Sequence, residues 1–149
     1  MKSAGTKLIA SNKKAHFNYF LSDFMEAGVE LKGTEIKSLR VTGATINDSY
    51  VVIRNEEAEI INIYIKPYDH GNLFNHDPLR NRKLLLHKHQ IRWLAQKIKT
   101  EGYTVVPTKL YFVKGKAKVE IALAKGKKNY DKRETIKKRD LQRELDKGL

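Results

Sequence analysis

With 149 residues, 40% of them hydrophobic, the chain has the length and apolar content for one domain with a single core plus an extension. It carries 30 Lys and Arg against 17 Asp and Glu, a formal net charge of +13 whose self-repulsion points to a polyanionic partner. It has no cysteine, which excludes thiol nucleophiles, disulfides, iron–sulfur clusters and cysteine-based zinc fingers. No apolar run approaches ~20 residues, which favours nucleic acid over membrane as that partner.

Residues 1 to 11 read as a loose arm, and MKSAGTKLIASNKKA lacks the apolar centre of a secretory signal. Asn12 is placed to cap a short turn through KKAH. The aromatic-rich run Phe17 to Leu31 predicts a long strand, interrupted by a bulge or bend near Ala27-Gly28. GTEIKSLRVTG predicts a helix capped at Thr34 and stopped at Gly43, with Lys37 and Arg40 on one face, within reach of two phosphates.

Tyr50 to Ile53 and EIINIYI, with Ile61, Ile63 and Ile65 alternating, predict a hairpin turning at RNEE. KPYDHGNLFNHDPLRNR, residues 66 to 82, predicts a long loop. LLLHKHQIRWLAQKIKTEG predicts a helix with an Ile91, Leu94, Ala95, Ile98 stripe and a stop at Gly102. TVVPTKLYFVKGKAKVEIALA predicts a second hairpin turning at Lys114-Gly115-Lys116. About six strands joined mostly by hairpins, with two to three short helices, favour a small antiparallel β-barrel over a parallel α/β sheet.

A folded body over 1–124 then gives way to a basic tail over 125–149, with ten Lys or Arg against five Asp or Glu and four aliphatic residues. Asp131 and Glu134 resemble a capping box, so a helix can begin at Lys132. The like-charge pairs Arg139 with Arg143 and Arg143 with Lys147 oppose it. The expectation is a tail disordered when free and helical when phosphates neutralise it.

Asp69, His70, His76 and Asp77 in the long loop invite a metal or acid–base reading, but their spacing matches no ligand motif, and Asn75 and Asp77-Pro78 are ordinary turn formers. No Walker loop, GxGxxG or GxSxG is present, so nucleotide-dependent catalysis has no support. Arg80, Arg82 and Lys83 form a basic triplet at the loop's end, suited to phosphate contact. Tyr19, Phe20, Tyr68 and Phe74 are candidates to stack on bases, with core packing the better reading for Tyr19 and Phe20.

Several ordered blocks carry a resemblance: NKKA at 12 to 15, EAGVELKGTEIKSLR from Glu26 to Arg40, DSYV at 48 to 51, RNRKLLLHK from Arg80 and GKKNYDKRE from Gly126. Together they resemble the small protein B (SsrA-binding protein) family over nearly the whole chain. Ile36 stands where the family often has Val. Tyr130 stands where some members have His, which preserves stacking and not imidazole chemistry.

The resemblance implies an oligonucleotide-binding (OB)-fold-like barrel and a non-enzymatic, cytoplasmic, monomeric protein without cofactor or metal. It implies binding to the tRNA-like domain of transfer-messenger RNA and delivery of that RNA to stalled ribosomes. It implies contact with 16S rRNA at the decoding centre and mRNA channel, and elongation factor Tu with the aminoacylated RNA as a further partner. On this resemblance Asn12, Glu26 and Leu85 belong to the RNA-contacting surface, with the basic residues Lys13, Lys37, Arg40, Arg80, Arg82 and Lys83 beside them. Gly126, Lys127, Lys128, Tyr130, Asp131, Lys132 and Arg133 belong to the tail that enters the empty mRNA channel. A generic OB-fold protein for single strands is the alternative.

Overall fold

A computed structural model describes residues 6–68 and 75–127. Among these, seven strands and three helices follow in chain order: β1 (Thr6–Ser11), α1 (Lys13–Asn18), β2 (Tyr19–Val29), α2 (Gly33–Val41), β3 (Tyr50–Arg54), β4 (Glu57–Ile61), β5 (Arg82–Leu85), α3 (Lys88–Glu101), β6 (Thr104–Val113) and β7 (Lys116–Gly126). The sheet is antiparallel, in the order β1-β6-β3-β4-β5-β2-β7. An additional β6–β7 pairing closes six of the strands into a barrel. Closure removes the free edges that an open sheet would present.

Strand alternation builds the core. Val51, Ile60, Leu84, Val105, Leu110, Val119, Ile121 and Leu123 point inward and are buried. Ile91 and Leu94 add one stripe of α3 to that cluster. Gly102, left-handed at φ 70°, ends α3 as its spacing predicts. The second hairpin turns at Lys114-Gly115, both with positive φ.

Five local expectations are corrected. Residues 6–11 are a strand on β6 and not a loose arm, because β3 touches β6 only at Val105 and leaves the rest of that edge to β1. Phe17 belongs to α1, and the irregularity in β2 falls between Ser22 and Met25, around Asp23 at φ 53°. The N-cap of α2 is Lys32, whose N–H donates to Glu35 Oε1 at 2.7 Å, and not Thr34. Asn62, at φ 66°, ends β4, so Ile63 and Ile65 reach the core from irregular backbone. The run Leu84-Leu85 belongs to β5, and the third helix starts at Lys88.

β7 pairs with β2 as far as Gly126, and the Lys127 N–H donates to Asn18 O at 2.9 Å. The folded body therefore runs past Ala124.

Candidate nucleic-acid interface

Pairing register gathers a row of outward residues from separate parts of the chain. Leu85 lies opposite Gly28, Gly28 opposite Lys118, and Lys118 opposite Tyr111. Glu26, two residues before Gly28, shares their face. Glu26, Gly28, Leu85 and Lys118 of this row, with Lys83 and His87, line an open groove of about 650 Å³. Leu85 is 55% exposed there, although its neighbours Leu84 and Arg82 on β5 are buried. Gly28 permits this placement: a Cβ at Gly28 would lie 3.2 Å from that of Leu85. The Tyr111 hydroxyl donates to Glu26 Oε2 at 2.6 Å. Partial burial, and then the Glu26 carboxylate, push the Tyr111 phenol well above its ordinary value, so it stays a donor.

The basic triplet separates. Arg82 is fully buried: its Nε donates to Glu35 Oε2 at 2.6 Å and its Nη1 to Ile63 O at 2.7 Å. Arg80 donates through Nε and Nη2 to the same carboxylate. Arg82 is thus a core residue and not a phosphate contact, and Arg80 is committed to Glu35. Lys83 alone projects outward, because β5 alternates. Burial by itself raises the Glu35 carboxyl, but hydrogen bonds from Arg80, the Lys32 N–H and Arg82 outweigh it and hold the group below its ordinary 4.5.

Asn12 is likewise internal. Its side chain is buried, accepts from the Ala15 N–H at 3.0 Å and donates to Pro107 O at 2.8 Å and Ile46 O at 3.4 Å. It caps α1 and pins that helix to β6, which leaves its neighbour Lys13 exposed. The direct contact expected of Asn12 is replaced by a structural role. Lys37 and Arg40 are exposed on α2, one 5.8 Å from the Tyr68 ring and the other 5.8 Å from that of Phe112. They do not line the groove.

Against this geometry, a family model described as "SmpB protein" matches residues 9–149. The chain belongs to the SmpB family. The SsrA-binding protein of Malacoplasma penetrans is 56% identical over 143 residues, covering 96% of this chain and 98% of its own. That of Enterococcus hirae is 54% identical over 149 residues, covering 100% and 97%. Among solved structures, a chain described under "tmRNA-SmpB: a journey to the center of the bacterial ribosome" superposes with TM-score 0.68 at 43% identity, over 85% of this chain and 87% of its own.

The one described loop histidine is scaffold. His76 is buried, with Nδ1 2.9 Å from Thr34 Oγ1 and Nε2 2.8 Å from Ile65 O, and Asp77 accepts from the Leu79 N–H. Asp69, His70 and Phe74 lie outside the described residues, among which no cluster could hold a metal. Gly126 ends β7 and the Lys127 ammonium lies 5.2 Å from the Phe20 ring. Phe20 is 54% exposed, whereas core packing was the expectation; Tyr19 does pack against Ala15, Val106 and Ala124. Lys128, Tyr130, Asp131, Lys132 and Arg133 lie outside the described residues. Sequence reasoning missed Tyr111 and Lys118, though the two-residue turn at Lys114-Gly115 makes them cross-strand partners.

Proposed function

We propose that this chain binds the tRNA-like domain of transfer-messenger RNA and delivers it to ribosomes stalled without a stop codon. Membership of the SmpB family over residues 9–149 carries the reading. The groove supports it with a mixed surface: an exposed Leu85, the acceptor Glu26 and the cations Lys83 and Lys118. Such a surface suits splayed bases and 2′-hydroxyls of a structured RNA better than a uniform phosphate track. Lys13, Lys37 and Arg40 add phosphate contacts around it.

The tail, from Lys128 through Tyr130, Asp131, Lys132 and Arg133, tests for a vacant mRNA channel beside 16S rRNA at the decoding centre. Tyr130 stacks on an rRNA base, and Lys132 and Arg133 meet phosphates, while the tail orders as a helix only on that surface. The chain performs no bond chemistry and works in the cytoplasm as a monomer, with elongation factor Tu accompanying the charged RNA.

The test is truncation after Lys127, which spares the pairing of β7 with β2. Transfer-messenger RNA binding should persist and tagging on stalled ribosomes should be lost. Loss of both would refute the division of labour. Competition with an unstructured single strand of equal length separates this reading from a generic OB-fold binder, which would not discriminate.

A further inference from the structure

Glu26 and Glu120 face each other directly across β2 and β7. Like charges at directly opposed positions repel. β6 supplies a hydroxyl to each: Tyr111 donates to Glu26 Oε2 at 2.6 Å, and Thr108 donates to Glu120 Oε1 at 2.6 Å. The two carboxylates are thereby drawn to separate partners. Glu120 is half-buried and also has its backbone carbonyl engaged by Thr108 at 3.2 Å, whereas Glu26 is exposed and lines the groove with Leu85 and Lys118. One oxygen of Glu26 is held by the phenol, and the exposed carboxylate retains further acceptor capacity.

We propose that Tyr111 is a positioning residue that fixes Glu26 as an oriented acceptor for base amino groups and ribose 2′-hydroxyls. The inference rests on the RNA-binding reading of the groove. A glutamate on a strand has three free torsions and, facing Glu120, a reason to swing away. The hydrogen bond to Tyr111 removes that freedom before RNA arrives, which lowers the ordering cost of binding. A fixed anion beside an exposed leucine rejects phosphates and accepts only donors. The groove therefore discriminates a folded RNA presenting amino and 2′-hydroxyl groups from a bare phosphate backbone. In this arrangement, charge elsewhere on the body attracts any nucleic acid, and the Tyr111–Glu26 pair supplies selectivity.

The experiment measures binding of the full-length chain to two nucleic acids, the tRNA-like domain and an oligodeoxythymidylate single strand of equal length, which carries phosphates but neither exocyclic amino groups nor 2′-hydroxyls. The variants are Tyr111→Phe, Glu26→Ala and the double variant, with Leu85→Ala as the control for the groove. Tyr111→Phe keeps the ring and removes only the hydroxyl. Its affinity for the tRNA-like domain should fall about tenfold, the usual worth of a hydrogen bond to a charged group. Single-strand affinity and melting temperature should stay near those of the parent, and Tyr111→Phe should add nothing in the Glu26→Ala background.

In a Glu26→Gln variant, the Tyr111 phenol, followed by its ring carbon resonance, should ionise at lower pH. An unshifted titration would deny the hydrogen bond. Parental affinity in Tyr111→Phe with weakened Glu26→Ala and Leu85→Ala would overturn the positioning role and leave the groove intact. An equal loss with and without Glu26 would make Tyr111 an independent contact and overturn the inference. Parental affinity in all three single variants would overturn the groove itself.

Discussion

Replacing Glu35 by Ala withdraws a carboxylate that joins two separate parts of the fold. It accepts from Arg80 and Arg82 at the start of β5 and from the Lys32 N–H at the start of α2. The side chains of Glu35 and Arg82 are both fully buried. The substitution therefore leaves a guanidinium in the interior with only carbonyl partners at Ile63 and Pro78. Breaking a buried pair from one side costs about 3–5 kcal/mol, against a typical total stability of about 5–15. For a domain of this size that corresponds to a fall of about 10–20 °C in melting temperature, read by circular dichroism at neutral pH. Glu35→Leu combined with Arg82→Met removes both charges and should recover much of the loss.

The same bond predicts acid sensitivity. The Glu35 carboxyl lies below its ordinary 4.5 in the folded state, so the unfolded chain binds the proton more readily. Its contribution is complete above the ordinary value and is lost as pH falls through the folded one. Glu35→Ala should thus flatten the decline in melting temperature below about pH 4.5. A Glu35→Ala protein melting within about 3 °C of the parent at neutral pH would refute this account of the network.

Three other substitutions follow from the geometry. Asn12→Ala removes an N-cap and two buried donors and should cost about 2–3 kcal/mol in denaturant unfolding, while the folded fraction binds RNA as the parent does. Gly28→Ala sets a methyl 3.2 Å from Leu85 Cβ and should cost about 1–2 kcal/mol by urea denaturation. Titration of the same variant should show about threefold weaker binding to the tRNA-like RNA, because Leu85 must shift. Glu56→Gly relieves a non-glycine residue at φ 60° in the β3–β4 turn and should stabilise by about 0.5–1 kcal/mol, seen as a rise in melting temperature.

Periodicity made the hairpins and α3 legible: alternation and the turn at Lys114-Gly115 suffice to align β6 with β7. The N-cap at Asn12 was legible too, because Asn before a short polar helix has one local use. Its second use was not, since the carbonyls it meets belong to Ile46 and Pro107, far away in the chain. β1 was unreadable because nothing in its own residues says that β3 will vacate the edge of β6. The β2 irregularity was misplaced at Gly28 because an internal glycine signals either a bend or a close approach. The structure uses Gly28 for the approach of Leu85, and the bend falls on Asp23.

The loop-end triplet shows why charge counts alone misplace an interface. Arg80, Arg82 and Lys83 look equivalent in composition, yet strand alternation sends Arg82 into the core and Lys83 to the surface. Once Arg82 is inside, a carboxylate must follow it, because an isolated buried guanidinium costs several kcal/mol. Glu35 answers that demand, and its remaining capacity takes Arg80 as well. Two of the three expected phosphate contacts are thus spent on joining α2 to β5. Glu26 follows the opposite course, since an acidic residue on a chain of net charge +13 remains exposed in the groove. Cations that bind non-specifically can sit anywhere on such a surface. An exposed carboxylate held by a phenol beside Leu85 repels phosphates and can accept only from donors, such as base amino groups and 2′-hydroxyls.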